Sequence, residues 1–294
     1  MSFARICDSP NSLPSIPAMV PAPTIVVFDS GLGGLTVYRE AVKARPDAQF
    51  IYVADDAFFP YGRHTEPDLV RRVLAVMERL IEVHRPDLVV IACNTASTLV
   101  LPQLRARFAV PFVGTVPAIK PACAASMSRL VSVLGTEATV RREYTRALIR
   151  DFGEGCAVTL VGSPRLAELA EAELRGETLA EAEVAAEIAP CFVTADGRRT
   201  DTVVLACTHF PLLLPHLRRL APWPVNFLDP APAIARRVVA LLGPPPPDTG
   251  GGHPARLVFT SGRAPPPPLR AALAGYGLAE SVLPPPFDTP ALSP

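Results

Sequence analysis

The sequence predicts an α/β fold built from two similar parallel-sheet domains. One observation is an internal repeat: segments 85–93 and 199–207 align without a gap and share an arginine, an aspartate, two valines, an alanine and a final cysteine. Another is that short apolar runs alternate with amphipathic stretches, twice over, between about residues 24 and 223. Each repeat is an apolar run between charged residues, which is typical of a buried parallel strand. We therefore expect the two domains to be related by pseudo-twofold symmetry, with a shared site between them.

The elements of the first domain follow from apolar runs, glycine turns and prolines. A strand at 24–28 leads into the glycine-rich turn 30–34, and the helix after that turn ends before Pro46. Apolar residues at helical spacing predict the helix at 68–83. The remaining predicted elements are strands at 50–53, 88–92 and 112–113 and helices at 35–45 and 96–108.

The pattern restarts after Pro117. The second domain has predicted strands at 130–134, 158–161 and 203–206 and helices at 140–150, 166–174 and 179–189. A strand at 225–228, a helix at 234–242 and a last strand at 256–260 follow, and the last strand is expected to return to the first domain. The proline- and glycine-rich stretch 244–254 predicts a surface loop.

These elements give a division of the whole chain into domains and terminal segments. Residues 1–23, with five prolines, are expected to be a disordered extension, and residues 281–294 a proline-rich tail. Residues 24–116 together with 224–280 form the first α/β domain, and residues 117–223 form the second.

The balance of charge excludes several classes of protein. The 28 basic and 28 acidic residues cancel, so the sequence gives no electrostatic indication of nucleic-acid or membrane binding. No apolar run approaches the roughly 20 residues that span a bilayer. The first 23 residues also lack the continuous apolar core of a secretory signal. We therefore expect a cytoplasmic protein.

The cysteine and lysine content argues against a disulfide framework, a metal and a cofactor. The six cysteines form no CxxC pair, and the histidines are scattered. The two lysines, Lys43 and Lys120, do not lie in a setting typical of pyridoxal phosphate. Most of the cysteines are interpreted as small buried or incidental residues. Only Cys93 and Cys207, which end the repeated strands, need a functional explanation.

Both thiols are predicted to lie at the carboxyl ends of parallel strands, where open α/β sheets place their chemistry. Cys93 precedes the start of a helix, whose amides should lower the pKa of the thiol toward neutrality. Cys207 is followed by Thr208 and His209, and the histidine can bond to a substrate or share a proton with the thiol. One cysteine with one histidine would also suit a hydrolase or an amidotransferase, but the second cysteine would then have no role.

A third strand end carries a carboxylate and a hydroxyl. Asp29 and Ser30 stand directly before the turn Gly31–Gly34. Such a turn is often only a tight connection with a capping residue. Because the same sheet edge is predicted to carry Cys93, a functional role is favoured here.

Five motifs, in order over most of residues 24–230, resemble those of the glutamate racemases, within the aspartate/glutamate racemase superfamily. They are Phe28–Thr36, Asp55 with Pro60–Gly62, Ala92–Ser97, Gly114–Ile119 and Ala206–Leu212. The resemblance implies a cofactor-independent enzyme that interconverts L- and D-glutamate and supplies D-glutamate for bacterial peptidoglycan. It also implies two-base catalysis, in which a thiolate removes the α-proton on one face and a thiol returns a proton on the other.

The same resemblance implies roles for individual residues. Cys93 would act on the D-enantiomer and Cys207 on the L-enantiomer, and Asp29 and His209 would assist them. The candidates for binding the substrate are Ser30, Tyr61, Gly62, Asn94, Thr95, Thr139 and Thr208. Glu171 is the candidate for an acidic residue that the family has before its second cysteine. Residues 162–164 (Gly-Ser-Pro) and 229–231 (Asp-Pro-Ala) depart from the family's Cys-Pro and Asp-Ser-Ala segments.

The resemblance also implies binding partners, and other functions stay open. Glutamate is the expected small-molecule partner; a homodimer and regulation by a cell-wall precursor, as in some relatives, are further expectations. An aspartate racemase or another isomerase of the superfamily would keep both cysteines and change the pocket. A binding protein without catalytic activity would not need the two thiols.

Overall fold

The computed structural model describes residues 21–247, 254–278 and 280–281. Predictions for residues 1–20, 248–253, 279 and 282–294 lie outside the described residues. The strands are β1 Thr24–Asp29, β2 Gln49–Ala54, β3 Leu88–Ile91, β4 Phe112–Gly114, β5 Leu130–Thr136, β6 Ala157–Ser163, β7 Thr194–Ala195, β8 Arg198–Arg199, β9 Thr202–Ala206, β10 Asn226–Leu228, β11 Arg256–Phe259 and β12 Glu280–Ser281.

The helices lie between these strands, as parallel pairing requires. They are α1 Leu35–Ala44, α2 Glu66–His84, α3 Asn94–Arg107, α4 Ile119–Ala125, α5 Glu137–Arg141, α6 Glu143–Phe152, α7 Leu166–Leu174, α8 Glu181–Ile188, α9 Leu214–Leu220, α10 Ala231–Leu242 and α11 Pro267–Ala274. Short 3-10 turns lie at Asp56–Phe58, Tyr61–Arg63, Ala189–Cys191 and Phe210–Leu213.

Two parallel sheets with a repeated strand order form the framework. In the described residues the first sheet has the order β12-β11-β2-β1-β3-β4, and the second has the order β10-β9-β5-β6. The run β2-β1-β3-β4 therefore corresponds to the run β6-β5-β9-β10. The predicted α/β fold with parallel sheets is confirmed, and the strands that precede Cys93 and Cys207 (β3 and β9) hold equivalent positions. The symmetry axis itself stays a prediction.

Both sheets are buried on their two faces. Along β1, Ile25 and Val27 pack into one apolar cluster, while Val26 and Phe28 pack into the cluster on the opposite face. Along β9, Val203 and Leu205 face one cluster, and Val204 with Ala206 faces the other. This explains why these strands read as continuous apolar runs rather than as alternating patterns.

The structure changes some predicted elements. The strand at 226–228, expected in the first domain with the rest of 224–280, pairs with β9 in the second sheet. The strand predicted at 256–260 is β11, and it pairs with β2 of the first sheet, as predicted. The helix expected at 140–150 is two helices, because Thr136 caps an earlier start at Glu137 and the backbone is extended at Arg142. The β7-β8 hairpin and the helices α4, α9 and α11 were not anticipated.

None of the helices in the described ranges combines the length and the apolar character needed to cross a membrane.

Candidate active site

The carboxyl ends of the two sheets face each other. The Thr208 hydroxyl, after β9, donates to Asp29 at the end of β1 over 3.5 Å. The Thr95 and Thr136 hydroxyls, one from each domain, lie 3.1 Å apart. Nearby, the Leu32 amide donates to Glu171 of α7 at 2.8 Å. Residues separated by 41 to 179 positions in sequence thus meet at one place.

Asp29 is held inside the glycine-rich turn. Its Oδ2 atom accepts from the amides of Gly31 and Gly34, at 3.2 and 3.1 Å. The residue has no exposed surface. Burial raises the pKa of Asp29, although the charge of His209 and the two amides act in the opposite direction. The turn therefore places a buried, hydrogen-bonded carboxylate beside the thiols.

Cys93 lies at the start of α3 and is 5% exposed. Its Sγ atom is 3.6 Å from the Ser30 hydroxyl. Burial raises the pKa of Cys93 to about 12, and the charge of Asp29 adds to the rise. The Ala96 amide and Ser30 lower the pKa but offset only part of this. The prediction of a pKa near neutrality was therefore wrong, because burial outweighs the start of the helix.

Cys207 has a different environment. It is the first member of a chain of three side chains, Cys207, His209 and Glu171, which we call the relay. The Cys207 sulfur lies 3.8 Å from Nδ1 of His209, and Nε2 of the same imidazole lies 3.0 Å from Oε1 of Glu171. Burial alone lowers the pKa of His209, but the bonds to Cys207 and Glu171 and the charge of Asp29 raise it well above its usual value. A protonated imidazole donates to both neighbours and places a positive charge next to the sulfur.

The two thiols are thus chemically unequal and close enough to interact. The charge of Cys207 is among the causes that raise the pKa of Cys93. Cys93 favours the neutral thiol, while Cys207 has a cation beside it. A pair in which one sulfur holds a proton and the other accepts one is the arrangement that two-base proton transfer needs.

Several predicted substrate residues line the same place. Asn94 is 2% exposed, and its Oδ1 and Nδ2 atoms have no hydrogen-bond partner among the described residues. A buried amide of this kind has full capacity to bind a ligand. The hydroxyls of Thr95, Thr136 and Thr139 lie within 2.9 to 3.3 Å of one another. The structure therefore brings Asn94, Thr95 and Thr139 together at the domain boundary.

Tyr61 and Gly62 lie on the 3-10 turn that precedes α2. The Tyr61 hydroxyl donates to Asp55 at 2.6 Å, so the side chain is already engaged. Around Gly62 there is open space, since a Cβ atom would meet nothing closer than 4.0 Å. The Tyr61 carbonyl accepts from the His64 amide at 3.3 Å, so the open space in this turn lies at Gly62.

Two residues of the site have little signal in the sequence. The sequence analysis assigns no role to Thr136, which follows the predicted strand 130–134. Glu171 lies on an acidic helix with Glu168 and Glu173, and no local pattern distinguishes it from them. The only indication of a role for Glu171 is its position before the second cysteine in the order of the family's motifs.

The chain is similar to known proteins over most of its length. The Asp/Glu/Hydantoin racemase family matches residues 30–238. A glutamate racemase from Brucella canis is 54% identical over 269 residues, which are 91% of this chain and 97% of the relative. Among solved structures, the Escherichia coli glutamate racemase with L-glutamate and the activator UDP-MurNAc-Ala has a TM-score of 0.81 at 40% identity, over 89% of this chain and 97% of that one. The Thermus thermophilus glutamate racemase with β-chloro-D-alanine has a TM-score of 0.70 at 28% identity, over 92% and 98%.

The matched region contains both repeated strand ends, the glycine-rich turn and the relay from Cys207 to Glu171. The chain belongs to the glutamate racemases, within the Asp/Glu/hydantoin racemase family.

Proposed function

We propose that the protein interconverts L- and D-glutamate with Cys93 and Cys207 as its two bases. The observation that carries the proposal is the placement of two unlike thiols after equivalent strands of two facing sheets. The glutamate racemases that match nearly the whole chain support glutamate as the substrate.

The reaction starts with a thiolate on Cys207 and a thiol on Cys93. The thiolate takes the α-proton of L-glutamate, and the electron pair of the broken C–H bond stays on the α-carbon and its carboxylate. The Cys93 thiol then gives its proton to the opposite face, which yields D-glutamate, a thiol on Cys207 and a thiolate on Cys93. D-Glutamate reacts by the reverse sequence, so no electrons or protons are gained or lost overall.

The polar residues around the thiols serve these proton transfers. Protonated His209 stabilises the Cys207 thiolate, and Glu171 holds the imidazole in place. Asp29 lies beside Cys93, and its charge disfavours the Cys93 thiolate, so that Cys93 holds a proton when L-glutamate binds. This is consistent with Cys93 as the proton donor when L-glutamate reacts.

The substrate is bound by neutral donors. Asn94 offers a free amide, and the Ser30, Thr95, Thr139 and Thr208 hydroxyls lie at the same boundary. Backbone amides at Tyr61 and Gly62 add donors for a carboxylate. Such groups bind carboxylates without a metal ion.

The cellular role that fits is the supply of D-glutamate for peptidoglycan. The E. coli relative was solved with UDP-MurNAc-Ala as activator, which supports regulation of this protein by a cell-wall precursor. A racemisation assay with and without UDP-MurNAc-Ala tests that regulation.

The central experiment compares wild type, Cys93→Ser and Cys207→Ser in deuterated water. Circular dichroism follows optical activity, and NMR follows deuterium at the α-carbon. We expect each serine variant to lose racemisation by about a hundredfold or more. Cys93→Ser should still exchange the α-hydrogen of L-glutamate, and Cys207→Ser that of D-glutamate.

Cys191→Ser is the matched control, because Cys191 is a buried thiol on the 3-10 turn Ala189–Cys191 and not at the end of a strand. It should keep wild-type turnover. Full racemisation by either Cys93→Ser or Cys207→Ser would refute the two-base assignment. Faster racemisation of aspartate than of glutamate by the wild-type protein would refute glutamate as the substrate.

A further inference from the structure

One buried cation near the site has no role in the proton transfers. Arg142 lies between α5 and α6, three residues after Thr139, and its side chain is 7% exposed. Its Nε atom is buried and has no hydrogen-bond partner among the described residues. A guanidinium has five donors, and a buried donor without a partner is costly, so the burial of Arg142 Nε needs a reason.

Arg142 adjoins a polar cavity between the domains. The cavity measures about 270 Å³ and is lined in part by Gly62, His64, Glu66, Glu137, Arg141 and Arg142. Gly62 belongs to the turn that carries the proposed substrate amides. The cavity therefore opens beside the substrate site rather than at a remote surface.

The present partner of Arg142 is weakly held. Its Nη1 atom donates to Glu66 at 2.6 Å, but the Glu66 side chain is 65% exposed. An ion pair with an exposed carboxylate contributes little, because water solvates that carboxylate equally well. The carboxylate of a ligand can therefore replace Glu66 at the Arg142 guanidinium, or bind the guanidinium together with Glu66.

The substrate needs a cation at this point. Glutamate carries two carboxylates and one ammonium, and it enters a site that already holds the buried carboxylates Asp29 and Glu171. Protonated His209 compensates only part of this charge and is bound to Glu171. Arg142 is close enough for its charge and that of Cys93 to affect each other. Its field therefore reaches the reacting centre.

We propose that Arg142 is a recognition residue for acidic amino acids. Its guanidinium takes a carboxylate of the substrate in the cavity beside Gly62, in exchange for Glu66, and so favours dicarboxylates over neutral amino acids. This inference rests on the proposed glutamate racemase activity. It adds a cationic contact to the neutral donors described above.

The test compares Arg142→Gln and Arg142→Lys with Arg150→Gln. Arg150 is the matched control, because it lies on the neighbouring helix α6 and not in the lining of the cavity, with a side chain that is 61% exposed and pairs with Glu143. We expect Arg142→Gln to raise KM for both enantiomers of glutamate by about tenfold or more, with kcat changed by less than about threefold. Arg142→Lys keeps the charge without the planar fork, so its KM should lie between those of wild type and Arg142→Gln. Arg150→Gln should behave as wild type.

Ionic strength gives a second readout. Because a charge contact is screened by salt, wild-type KM should rise with salt more steeply than that of Arg142→Gln. Calorimetric titration with L-glutamate reports binding separately from turnover, and circular dichroism reports folding.

An unchanged KM in Arg142→Gln would overturn the inference. So would a loss confined to kcat, which would assign Arg142 to the ionisation of Cys93 instead. If wild type itself did not racemise glutamate, the proposed function would fail, whatever the Arg142 variants showed. If Arg142→Gln did not fold, Arg142→Lys would provide the test: a KM equal to that of wild type at all salt concentrations would refute the contact between the guanidinium and the substrate carboxylate.

Discussion

At the scale of single residues, Glu171 controls the charge of the histidine beside Cys207. Its Oε1 atom accepts from the Leu32 amide at 2.8 Å and lies 3.0 Å from His209 Nε2. The side chain is only 11% exposed, so water competes little for these bonds. The carboxylate thus connects a turn of the first domain to the relay of the second.

Glu171→Gln keeps an acceptor for Leu32 but removes the negative charge. We expect the pKa of His209 to fall toward its usual value, because an anionic hydrogen-bond partner is lost. Racemisation should fall by at least about tenfold. NMR titration of the imidazole and the racemisation rate measure the two effects.

Glu173→Gln is the control for Glu171→Gln. Glu173 lies on the same helix and bonds to His216 at 2.8 Å, outside the site. It should leave both the His209 titration and the rate unchanged. An unaltered His209 in Glu171→Gln would contradict the relay.

At the scale of elements, the glycine-rich turn is shaped by what packs on it. A Cβ atom at Gly33 would lie 2.3 Å from His209 Nδ1 and 2.5 Å from the His209 backbone nitrogen. A Cβ atom at Gly31 would lie 2.1 Å from Glu171 Oε1. The glycines therefore allow the turn of one domain to contact the relay of the other directly.

Gly33→Ala should displace His209 and separate it from Cys207. We expect a loss of about 1–3 kcal/mol in the free energy of unfolding and loss of most activity. Urea unfolding and the racemisation rate provide the measurements.

Gly275→Ala serves for comparison, since its Cβ atom would lie 3.2 Å from the Ala272 carbonyl at the end of α11. Gly275→Ala should lower the free energy of unfolding by less than about 1 kcal/mol and leave full activity. Equal behaviour of the two variants would show that close packing at Gly33 does not matter.

At the scale of the whole molecule, one buried ion pair joins distant parts of the first domain. Asp55, after β2, accepts from Arg72 of α2 at 2.5 Å, from Tyr61 at 2.6 Å and from Thr260 after β11 at 2.6 Å. Asp55 has no exposed surface, and Arg72 is 3% exposed. The network holds the turn with Gly62 against the sheet and fastens the returning strand.

Asp55→Asn removes the charge and leaves Arg72 buried without its counter-ion. We expect a loss of about 3–5 kcal/mol in the free energy of unfolding, measured by urea denaturation.

Glu168→Gln is the matched control. It breaks the ion pair of Glu168 with Arg63, whose side chains are 34% and 68% exposed. This pair crosses the domain boundary at the surface, so its removal should cost less than about 1 kcal/mol. Similar losses in both variants would argue against a buried network that stabilises the molecule.

Sequence reasoning found those features that depend on local pattern. Apolar runs and their repeat predicted two parallel sheets, and the cysteines after β3 and β9 were assigned to equivalent strand ends. It placed Asp29 at the turn and His209 after the second cysteine, where the structure has them. The predicted starts of two helices were less accurate. Helix α3 begins at Asn94 and α5 begins at Glu137, after the Thr136 cap, and both starts are earlier than the apolar pattern indicates.

By itself, the sequence determined the class of fold, the pair of thiols and the family. Apolar runs indicate the strands, the repeat places a cysteine after two of them, and the order of the motifs indicates the family, and all of these are local features of the chain. The tertiary structure alone decided that the strand at 226–228 joins the second sheet, that Glu171 meets His209, and that Arg142 is buried beside the site. It also decided the protonation preference of Cys93, which burial sets against the effect of its helix. Burial and contacts between residues far apart in sequence exist only once both sheets have been packed together, so no local pattern contains them.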